Sequence, residues 1–552
     1  MLAILLVAAG LRYPGYNFSL PYIDHVDEPA YNLAARMVID FGSAKPLGMH
    51  GYPPGIITVH LLLERAFQNP DQPPSTILWL ARLLSVTVSL MTILLMGLLG
   101  YRVATPLAGL IAAWLWAVSP RVVEHSRFAT ADPYVTFFAV LALFWAISGT
   151  LHDRDRWTSW GVFASMMAVV FKYQAIVIVP VVLLIPLWRL RSLPDRRRIW
   201  VNFGYNLLAL ALFGFWLVAI YPATEAHESP DWSAASSKLG VPSVEILRRN
   251  LTQSVLQPAN RDLIWQTGAA GLALLMLRPV RRHVNWIGLG TLLAGAVVWF
   301  GVVSLYGWQF FRQFISASAF LTILAGTGLA LFGAAAAWLV ERTPRLVAVR
   351  HVRLAGAAVA LVAIAFLTRR PLAASIEDTR NYLLHDRRND LAVYADSSLP
   401  GGPYITHSEN HKTFNRDWGG YAGTTEFPLH KVASLTDHPI EYWREQGVEY
   451  AVLAYDVYDT LKHTAQGLTY VDQTVLLKAY PPSSRYRGPA MVMLALDPIQ
   501  YRAAGQLGPV HLIGYDIDRT TARPGESITF RLYWQCEGAL GADYVVFNHL
   551  IL

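Results

Sequence analysis

Two acidic residues, Asp27 and Glu28, stand side by side near the start of the chain, directly before Pro29. A carboxylate pair of this kind can supply a general base, with the second group tuning the first or binding a cation. In the structural alternative, Glu28 caps a helix opened by Pro29 and Asp27 is a solvated loop charge. The acid–base interpretation predicts that Asp27 and Glu28 are catalytic.

A third carboxylate, Asp132, precedes Pro133, an order typical of a helix N-cap followed by proline in the first turn. The same short segment holds Glu124, His125 and Arg127. Ionisable groups clustered at the end of a membrane span indicate a functional site. We therefore predict that Asp132 is catalytic as well, with simple N-capping as the alternative.

Basic side chains that could bind an anion are Lys172, Arg312, Arg127 and Arg82. Aromatic residues border Lys172, in Phe-Lys-Tyr, and Arg312, in Phe-Phe-Arg-Gln. Arginine offers paired donors and lysine a point charge, and both suit the phosphate of a lipid. The alternative for each is snorkelling to ordinary lipid headgroups.

His50 and Tyr52 stand before a pair of prolines, and we predict that they shape the floor of a pocket unless the prolines form only a turn. His25 and His50 could hold a metal beside the first acidic pair, although no close His or Cys spacing supports such a site. A divalent cation is therefore an open expectation. No Walker A loop or dinucleotide fingerprint occurs in a suitable context, so we expect no organic cofactor.

The chain that carries these residues is strongly apolar. Of its 552 residues, 54% are hydrophobic and 15% are charged, and the mean hydropathy is +0.34. An ordinary soluble domain has roughly 25% charged residues. This composition excludes a disordered or collagen-like chain, and the single cysteine excludes an internal disulfide. The net charge of +7 comes from arginines that punctuate apolar runs, which indicates a membrane and not nucleic acid as the partner.

Apolar runs that approach the length needed to cross a bilayer, about 20 residues, predict a polytopic α-helical membrane protein. They lie near 77–100, 106–118, 133–151, 157–171, 174–190, 200–221, 263–277, 285–305, 314–340 and 354–368. The segment Met1 to Leu11 is too short to span, so we interpret it as part of an incomplete first helix. Together these segments predict about 11 transmembrane helices.

Arginines gather in every second connection between these runs, and the positive-inside rule places those connections in the cytoplasm. The connections at 13–75, 119–132, 172–173, 222–262 and 306–313 then lie outside, as does the chain after about residue 370. We expect two interfacial helices in the first of them, one from Pro29 and one over Ile56–Phe67. All the candidate residues except Arg82 fall in these outer connections.

The composition after residue 370 is that of a soluble protein. Predicted helices at Thr379–Tyr394 and Ile440–Gln446 alternate with strands at Tyr404–His407, Tyr450–Ala454 and Val475–Ala479, so residues 371–484 are expected to form an α/β domain. Residues 485–552 have an all-β pattern, with strands at Met491–Leu496, His511–Asp516, Ile528–Gln535 and Tyr544–Leu550. Because the last strand reaches the end of the sequence without a partner, we interpret this part as an incomplete β-sandwich.

The order of these motifs suggests a family. The acidic pair in His-Val-Asp-Glu-Pro, the Tyr-Pro-Pro turn, the run from Arg127 to Pro133, Phe-Lys-Tyr and the late Phe-Arg resemble the polytopic glycosyltransferases of GT-C fold. Within these, residues 1–370 are most similar to the protein O-mannosyltransferase and aminoarabinose transferase group, glycosyltransferase family 39.

The resemblance implies transfer of a sugar from a polyprenyl-phosphate donor to an acceptor outside the cytoplasm, usually with inversion. By analogy, Asp27 would deprotonate or orient the acceptor hydroxyl, Glu28 would be its acidic partner, and Asp132 would assist the acceptor or a cation. Lys172 and Arg312 would hold the departing phosphate, whose developing negative charge fixed cations stabilise. We expect an integral membrane protein of a bacterial or archaeal plasma membrane, with its active site and C-terminal domains extracytoplasmic and a protein, lipid or polysaccharide as acceptor.

Two other classes stay open at this point. A transporter or flippase of lipid-linked sugars would place ionisable groups near the bilayer midplane and commonly shows internal repeats, whereas here the charges gather at helix ends and no repeat is visible. A membrane-anchored binding protein would use its outer β domain and tolerate the loss of charge at Asp27 and Asp132.

Overall fold

The computed structural model describes residues 1–25, 27–42, 52–67, 75–191, 196–217, 243–252, 264–305, 311–341, 349–399, 401–406, 428–432, 435–496, 500–523 and 525–536. The chain divides into two compact units, the first containing Met1–Leu384 and the second beginning at His385. The division therefore lies beyond the boundary near residue 370 that the sequence predicts.

All the regular secondary structure in the described residues of the first unit is helical. Its α-helices are α1 Leu2–Arg12, α2 Asp27–Phe41, α3 Pro54–Phe67, α4 Ser75–Val103, α5 Pro106–Ala117, α6 Pro120–Ser126, α7 Ala131–Leu151, α8 Asp155–Phe171, α9 Ile178–Leu184, α10 Arg196–Phe215, α11 Val244–Arg249, α12 Ile264–Ala273, α13 Arg278–Arg281, α14 Trp286–Ser304, α15 Phe311–Glu341 and α16 Val349–Leu383. Short 3-10 segments flank α9, at Tyr173–Val177 and Ile185–Arg191.

Five helical segments in the described part of the chain are long and apolar enough to cross a membrane. They are Ile77–Val103, Ala131–Leu151, Tyr173–Leu190, Trp286–Ser304 and Phe311–Ala336. A sixth span is added if α5 and α6 are taken together, although the two helices are bent by 66° at their junction. The structure thus supports a polytopic helical membrane protein, while the predicted number of about 11 spans is not confirmed.

The bend between α5 and α6 has a clear cause in the sequence. Helix α5 ends at Ala117, and Pro120 opens α6, because proline lacks the N–H that would continue the first helix. The fully buried guanidinium of Arg12 donates to the carbonyl oxygens of Ala117, at 2.8 Å, and Trp116, at 3.2 Å. These bonds satisfy carbonyls that the end of α5 leaves without helical partners.

Helices α2 and α3 confirm the two helices predicted for the first outer connection. They are joined through the carboxylate of Glu64, which is fully buried and accepts from Asn32 Nδ2 at 2.7 Å and from Arg36 Nε at 3.1 Å. Because Glu64 lies on α3 and both donors lie on α2, this carboxylate fixes how the two helices pack.

Helix α16 corrects one sequence prediction. It runs for 35 residues, passes Pro371 and ends at Leu383, after which a separate helix, α17, covers Arg387–Ser398. The single helix predicted over Thr379–Tyr394 is therefore two helices. The break coincides with Asp386, whose side chain caps α17 by accepting from the N–H of Arg388 at 3.0 Å.

The second unit contains a five-stranded sheet with strand order β2-β1-β3-β5-β4. Its strands are β1 Tyr404–Thr406, β2 Leu429–Lys431, β3 Tyr450–Ala454, β4 Val475–Tyr480 and β5 Met491–Ala495. Strand β1 pairs in parallel with β2 and β3, whereas β5 pairs antiparallel with β3 and β4. The remaining helices are α18 Ile440–Glu445, α19 Tyr455–Leu461 and α20 Ala465–Gln473.

The α/β class predicted for this region agrees with the sheet, but the predicted boundary at residue 484 is wrong. Strand β5, assigned from the sequence to the all-β part, is buried at every position and lies between β3 and β4. A smaller antiparallel sheet follows, formed by β6 Tyr501–Leu507, β7 Val510–Ile517 and β8 Phe530–Cys536. The strand predicted at 544–550 lies outside the described residues.

Candidate active site

Charged side chains from four helix ends form two ion pairs in the first unit. Asp27 stands at the start of α2 and Arg312 at the start of α15, and their side chains form one pair. Asp132 lies in the first turn of α7 and Lys172 follows the last residue of α8, and these form the other. The structure therefore brings together, two by two, four residues that the sequence predicts for the site.

The Asp27–Arg312 pair is partly open to solvent. Arg312 Nη1 donates to Asp27 Oδ2, and the two side chains are 22% and 18% exposed, respectively. The Nε2 atom of His25 lies 3.4 Å from the same Arg312 nitrogen. A carboxylate with this accessibility can still meet a substrate hydroxyl.

The Asp132–Lys172 pair is more enclosed on its acidic side. Lys172 Nζ donates to Asp132 Oδ1 at 2.6 Å, with the lysine 24% exposed and the aspartate 5% exposed. Next to this pair, the rings of Tyr134 and Phe171 stack with centroids 4.8 Å apart. Lys172 is therefore the member of this pair that an incoming anion can reach.

Two tyrosines lie within the electrostatic influence of both ion pairs. Burial raises the pKa of Tyr31 far above its ordinary value, and the negative charges of Asp27 and Asp132 raise it further. The pKa of Tyr52 is raised by the same causes, burial first. Their rings meet edge to face with centroids 5.4 Å apart. Because both carboxylates act on the same phenols, the two ion pairs share one electrostatic environment.

The placement of Glu28 does not agree with the catalytic role predicted for it. Its carboxylate is fully buried and receives Arg82 Nε at 2.9 Å, Arg82 Nη2 at 2.7 Å and the N–H of Ala129 at 2.7 Å. Arg82 also donates to the carbonyl of Phe18 at 2.8 Å and lies over that ring. Because Glu28 forms a fully buried ion pair with Arg82, it holds the start of α2 in place. Arg82 is buried in the same pair, which does not agree with the phosphate contact predicted for it.

Arg127 is likewise enclosed within the protein. Its guanidinium is fully buried, donates to Thr379 Oγ1 at 2.7 Å and to the carbonyl of Leu11, and lies over the ring of Tyr382. These contacts join the segment before α7 to α1 and α16. The donor-phosphate contact predicted for Arg127 does not agree with this position, whereas Lys172 and Arg312 remain accessible.

Of the two residues predicted to form a pocket floor, Tyr52 is found beside Tyr31 and is 38% exposed. His50 lies outside the described residues.

A divalent cation fits this arrangement poorly. Asp27 and Asp132, the residues that would hold it, are each bound to a cationic side chain of the protein. In the part of the chain that the structure describes, no group of three or more His, Cys, Asp or Glu side chains is arranged to hold a metal. A cation at either carboxylate would have to displace Arg312 or Lys172.

Sequence reasoning did not assign Tyr31 to the site, it named His125 only as an ionisable neighbour of Asp132, and it considered His25 only as a metal ligand. Tyr31 follows Asp27 by four residues, a spacing that places both on one face of α2, so a signal was present. The ring of His125 packs against Phe311, with centroids 5.6 Å apart, and Phe311 precedes Arg312. No sequence spacing could reveal that contact, because its two residues come from distant helices.

Comparisons with known proteins agree with this architecture. Residues 64–226 match the sequence profile of the family described as dolichyl-phosphate-mannose-protein mannosyltransferase. A search of curated proteins found no match to this sequence.

Among solved structures, the apo state of ArnT from Cupriavidus metallidurans is similar with a TM-score of 0.50 and 16% identity, covering 90% of this chain and 97% of that one. ArnT from the same organism bound to undecaprenyl phosphate gives 0.46 and 16%, covering 90% and 98%. AglB from Archaeoglobus fulgidus, in complex with an inhibitory peptide and a dolichol phosphate, gives 0.48 and 13%, covering 89% and 73%. The chain is thus a polytopic protein of GT-C fold that resembles the protein O-mannosyltransferase and ArnT group of glycosyltransferases.

Proposed function

We propose that the protein is a membrane glycosyltransferase that transfers a sugar from a polyprenyl-phosphate donor to an acceptor hydroxyl outside the cytoplasm. The observation that carries the proposal is the accessible Asp27–Arg312 pair beside the Asp132–Lys172 pair. One carboxylate that can take a proton and two cations that can hold a phosphate are the groups this reaction needs.

In this mechanism Asp27 accepts the proton of the acceptor hydroxyl while the acceptor oxygen bonds to C1 of the sugar. The bond between C1 and the phosphate oxygen breaks, and the electron pair leaves with the polyprenyl phosphate. Attack opposite the leaving group inverts the configuration at C1. Asp27 fits the role of base better than Glu28, because Glu28 already accepts three hydrogen bonds in a fully buried position.

The ion pair with Asp27 gives Arg312 a role in the reaction besides binding the phosphate. Before the reaction, Arg312 is bound to the Asp27 carboxylate. When Asp27 takes up the proton, it loses its negative charge at the same time as the departing phosphate gains one. The ionic interaction of Arg312 with Asp27 then weakens while its interaction with the departing phosphate strengthens. Arg312 therefore stabilises the leaving group more as the reaction proceeds. Lys172 supplies a second positive charge from the neighbouring pair.

The donor class is proposed from the charges of the site and from the family similarity, whereas the sugar and the acceptor are left open. The aromatic surroundings of the site, including Tyr31, Tyr52 and Phe311, suit a sugar ring. We place the site outside the cytoplasm because the arginine-rich connections lie at the other ends of the predicted spans.

The test is quantitative mass spectrometry of polyprenyl-phosphate sugars in membranes that contain the wild type or Asp27→Asn at equal protein levels. Asp40→Asn, on an exposed position of the same helix, is the matched control. We expect the wild type and the control to deplete one lipid-linked sugar that accumulates with Asp27→Asn. If all three folded proteins match membranes without the protein, in a host that makes the donor, the proposal is wrong.

A chelator gives an independent check on the role of metal. Because Asp27 and Asp132 are already neutralised by Arg312 and Lys172, we expect transfer to persist in EDTA. Loss of transfer in EDTA that Mg²⁺ or Mn²⁺ restores would show that a cation binds in spite of this pairing.

A further inference from the structure

His125, in α6, forms no hydrogen bond within the part of the chain that the structure describes. Its side chain is partly buried, and its Nδ1 atom is enclosed in the protein without a hydrogen-bond partner. His60 of α3 differs, because its Nε2 atom lies 3.4 Å from the carbonyl oxygen of Ala129. Most buried polar atoms in proteins have a partner, so an imidazole without one indicates a role outside the packing of the fold.

Two aromatic rings hold the imidazole beside the ion pairs. The ring of His125 packs against Phe311, with centroids 5.6 Å apart, and meets Phe128 edge to face at 5.9 Å. Phe311 directly precedes Arg312 in α15. The charges of Arg312 and Asp132, one from each ion pair, both act on the imidazole. His125 therefore lies within the electrostatic environment of both pairs.

The two ring nitrogens of His125 differ in accessibility. Only Nδ1 is fully enclosed, so Nε2, on the other edge of the ring, is the atom that a ligand can reach. A neutral imidazole has one N–H group and one lone pair, and the tautomer decides which of them Nε2 carries. Nε2 can therefore either donate a hydrogen bond to a ligand or accept one from it.

These properties favour an uncharged polar group as the ligand. No carboxylate is hydrogen-bonded to the ring in the described residues, and partial burial disfavours its cation, so the imidazole is neutral at neutral pH. A phosphate binds more strongly to a cationic side chain than to a neutral ring. A hydroxyl group can both donate and accept, so it matches either tautomer. The adjoining phenylalanine rings offer an apolar surface to the C–H groups of a sugar.

We propose that Nε2 of His125 binds a hydroxyl group of a sugar substrate and thereby determines which sugar the site accepts. The inference rests on the proposed function and adds to it a residue that recognises the uncharged part of the substrate. The hydroxyl belongs either to the donor sugar or to the acceptor. His125 takes no proton from it, so the residue contributes to specificity and not to the breaking of bonds.

Two substitutions of equal length separate hydrogen bonding from packing. His125→Gln keeps an amide group that can reach the position of Nε2. His125→Met is also unbranched and equally long, but its sulfur is only a weak acceptor. The two variants therefore differ mainly in their capacity to bind a hydroxyl group. His125→Leu replaces His125→Met if that variant does not fold.

The measurement is equilibrium binding to the full chain in detergent. The probes are undecaprenyl phosphate and undecaprenyl phosphate that carries mannose, glucose, galactose or arabinose. We expect the wild type to bind at least one of these lipid-linked sugars more tightly than undecaprenyl phosphate. If the membrane experiment described above shows depletion of another lipid-linked sugar, that compound becomes the probe.

For the lipid-linked sugar that binds most tightly, His125→Met should raise the Kd about 3- to 10-fold, within the range for a neutral hydrogen bond. His125→Gln should stay within about twofold of the wild type, because it can still bind the hydroxyl. Neither variant should change the binding of undecaprenyl phosphate, which lacks the sugar.

The transfer reaction identifies the source of the hydroxyl. Weaker binding of the lipid-linked sugar to His125→Met assigns the hydroxyl to the donor. Unchanged binding together with slower depletion of that lipid in membranes, restored in His125→Gln, assigns the hydroxyl to the acceptor. Both results support the inference.

Three results would overturn it: His125→Met matches the wild type in binding and in transfer, His125→Gln loses as much as His125→Met, or the binding of undecaprenyl phosphate is weakened by the same factor. If the wild type transfers sugar and one of these is found, the role of His125 is wrong and the proposed function stands. If the folded wild type neither prefers a lipid-linked sugar to undecaprenyl phosphate nor depletes one in membranes, the proposed function itself fails.

Discussion

The same carboxylate-to-amide change should have different main effects at the adjacent acids Asp27 and Glu28. At Glu28 it should lower the stability of the fold, and at Asp27 it should lower the rate of transfer. Glu28→Gln keeps the shape of the side chain but leaves the guanidinium of Arg82 buried without its counter-charge. Removing one partner of a fully buried ion pair costs about 3–5 kcal/mol. The Asp27–Arg312 pair is partly exposed, so Asp27→Asn should cost only about 0–1 kcal/mol.

These free energies translate into a measurable difference in melting temperature. The first unit contains Met1–Leu384, and at about 2.1 cal/mol/K per residue its unfolding entropy is about 0.8 kcal/mol/K. Glu28→Gln should therefore lower the Tm by about 4–6 °C, and Asp27→Asn by about 1 °C or less. In the transfer reaction, Asp27→Asn should lower kcat by about 10²- to 10⁴-fold, the usual contribution of a general base.

The assay is thermal unfolding followed by tryptophan fluorescence in detergent, with transfer measured on the same preparations. The double variant Glu28→Gln/Arg82→Gln provides the internal control, because removing both charges should recover part of the Tm lost in the single variant. If Glu28→Gln melts within about 1 °C of the wild type and loses transfer, Glu28 takes part in the chemistry and does not act only to hold α2 in place.

Three further predictions concern the cations, the pH dependence and the packing. Arg312→Met and Lys172→Met should each lower kcat/KM about 10²- to 10³-fold. Only Lys172→Met should also lower the Tm, because it leaves the nearly buried carboxylate of Asp132 unpaired. Equal losses of Tm in the two variants would contradict this prediction. Burial lowers the pKa of His60 to about 4, so the fold prefers the neutral ring, and this contribution to stability should be complete above pH 6.5 and lost as the pH falls towards about 4. If the Tm of His60→Gln changes with pH between 6.5 and 4 as steeply as the Tm of the wild type, this prediction is wrong. A Cβ at Gly55 would lie 2.7 Å from a carbonyl oxygen of α8, so Gly55→Ala should cost about 1–3 kcal/mol, whereas Gly204→Ala, in open space, should not destabilise.

Sequence reasoning placed four charged residues at the same end of the spans, and this placement agrees with the pairing in the structure. Asp27, Asp132, Lys172 and Arg312 were predicted from their residue types and their neighbours in the sequence, and the alternation of arginine-rich connections places all four at one end of the spans. The structure joins them as two ion pairs. This part was predictable because it depends on where apolar runs end, which the sequence shows directly.

The different positions of Asp27, which is partly exposed, and Glu28, which is fully buried, were not predictable in this way. Successive residues on an α-helix point about 100° apart, so one of two adjacent acids can face the interior while the other faces a cleft. Which acid turns inward depends on Arg82, 54 residues later, and on the N–H of Ala129, both brought there only by folding. For the same reason, Arg82 and Arg127 could not be distinguished from cations that face a ligand.

Strand β5 illustrates a second limit. Its run of apolar residues, Met-Val-Met-Leu-Ala, is typical of a central strand, and this was visible in the sequence. Its position in the chain suggested membership of the β region that follows, but β5 pairs with β3 and β4 of the preceding sheet. Strand order in a sheet depends on pairing in space, which position in the sequence does not determine.

The hydrogen bonds of Arg12 have a consequence for protein engineering. By composition, α1 looks like an exchangeable apolar helix, and a chimera with another apolar helix in its place would keep its hydropathy. Such a chimera would lose the guanidinium that binds the carbonyls of Trp116 and Ala117 at the bend before α6, the helix that carries His125. Two carbonyls would then be left without their donors in the protein interior. Hydrophobicity alone is therefore not a sufficient criterion for exchanging this helix, because a single buried charge connects it to the neighbourhood of the candidate active site.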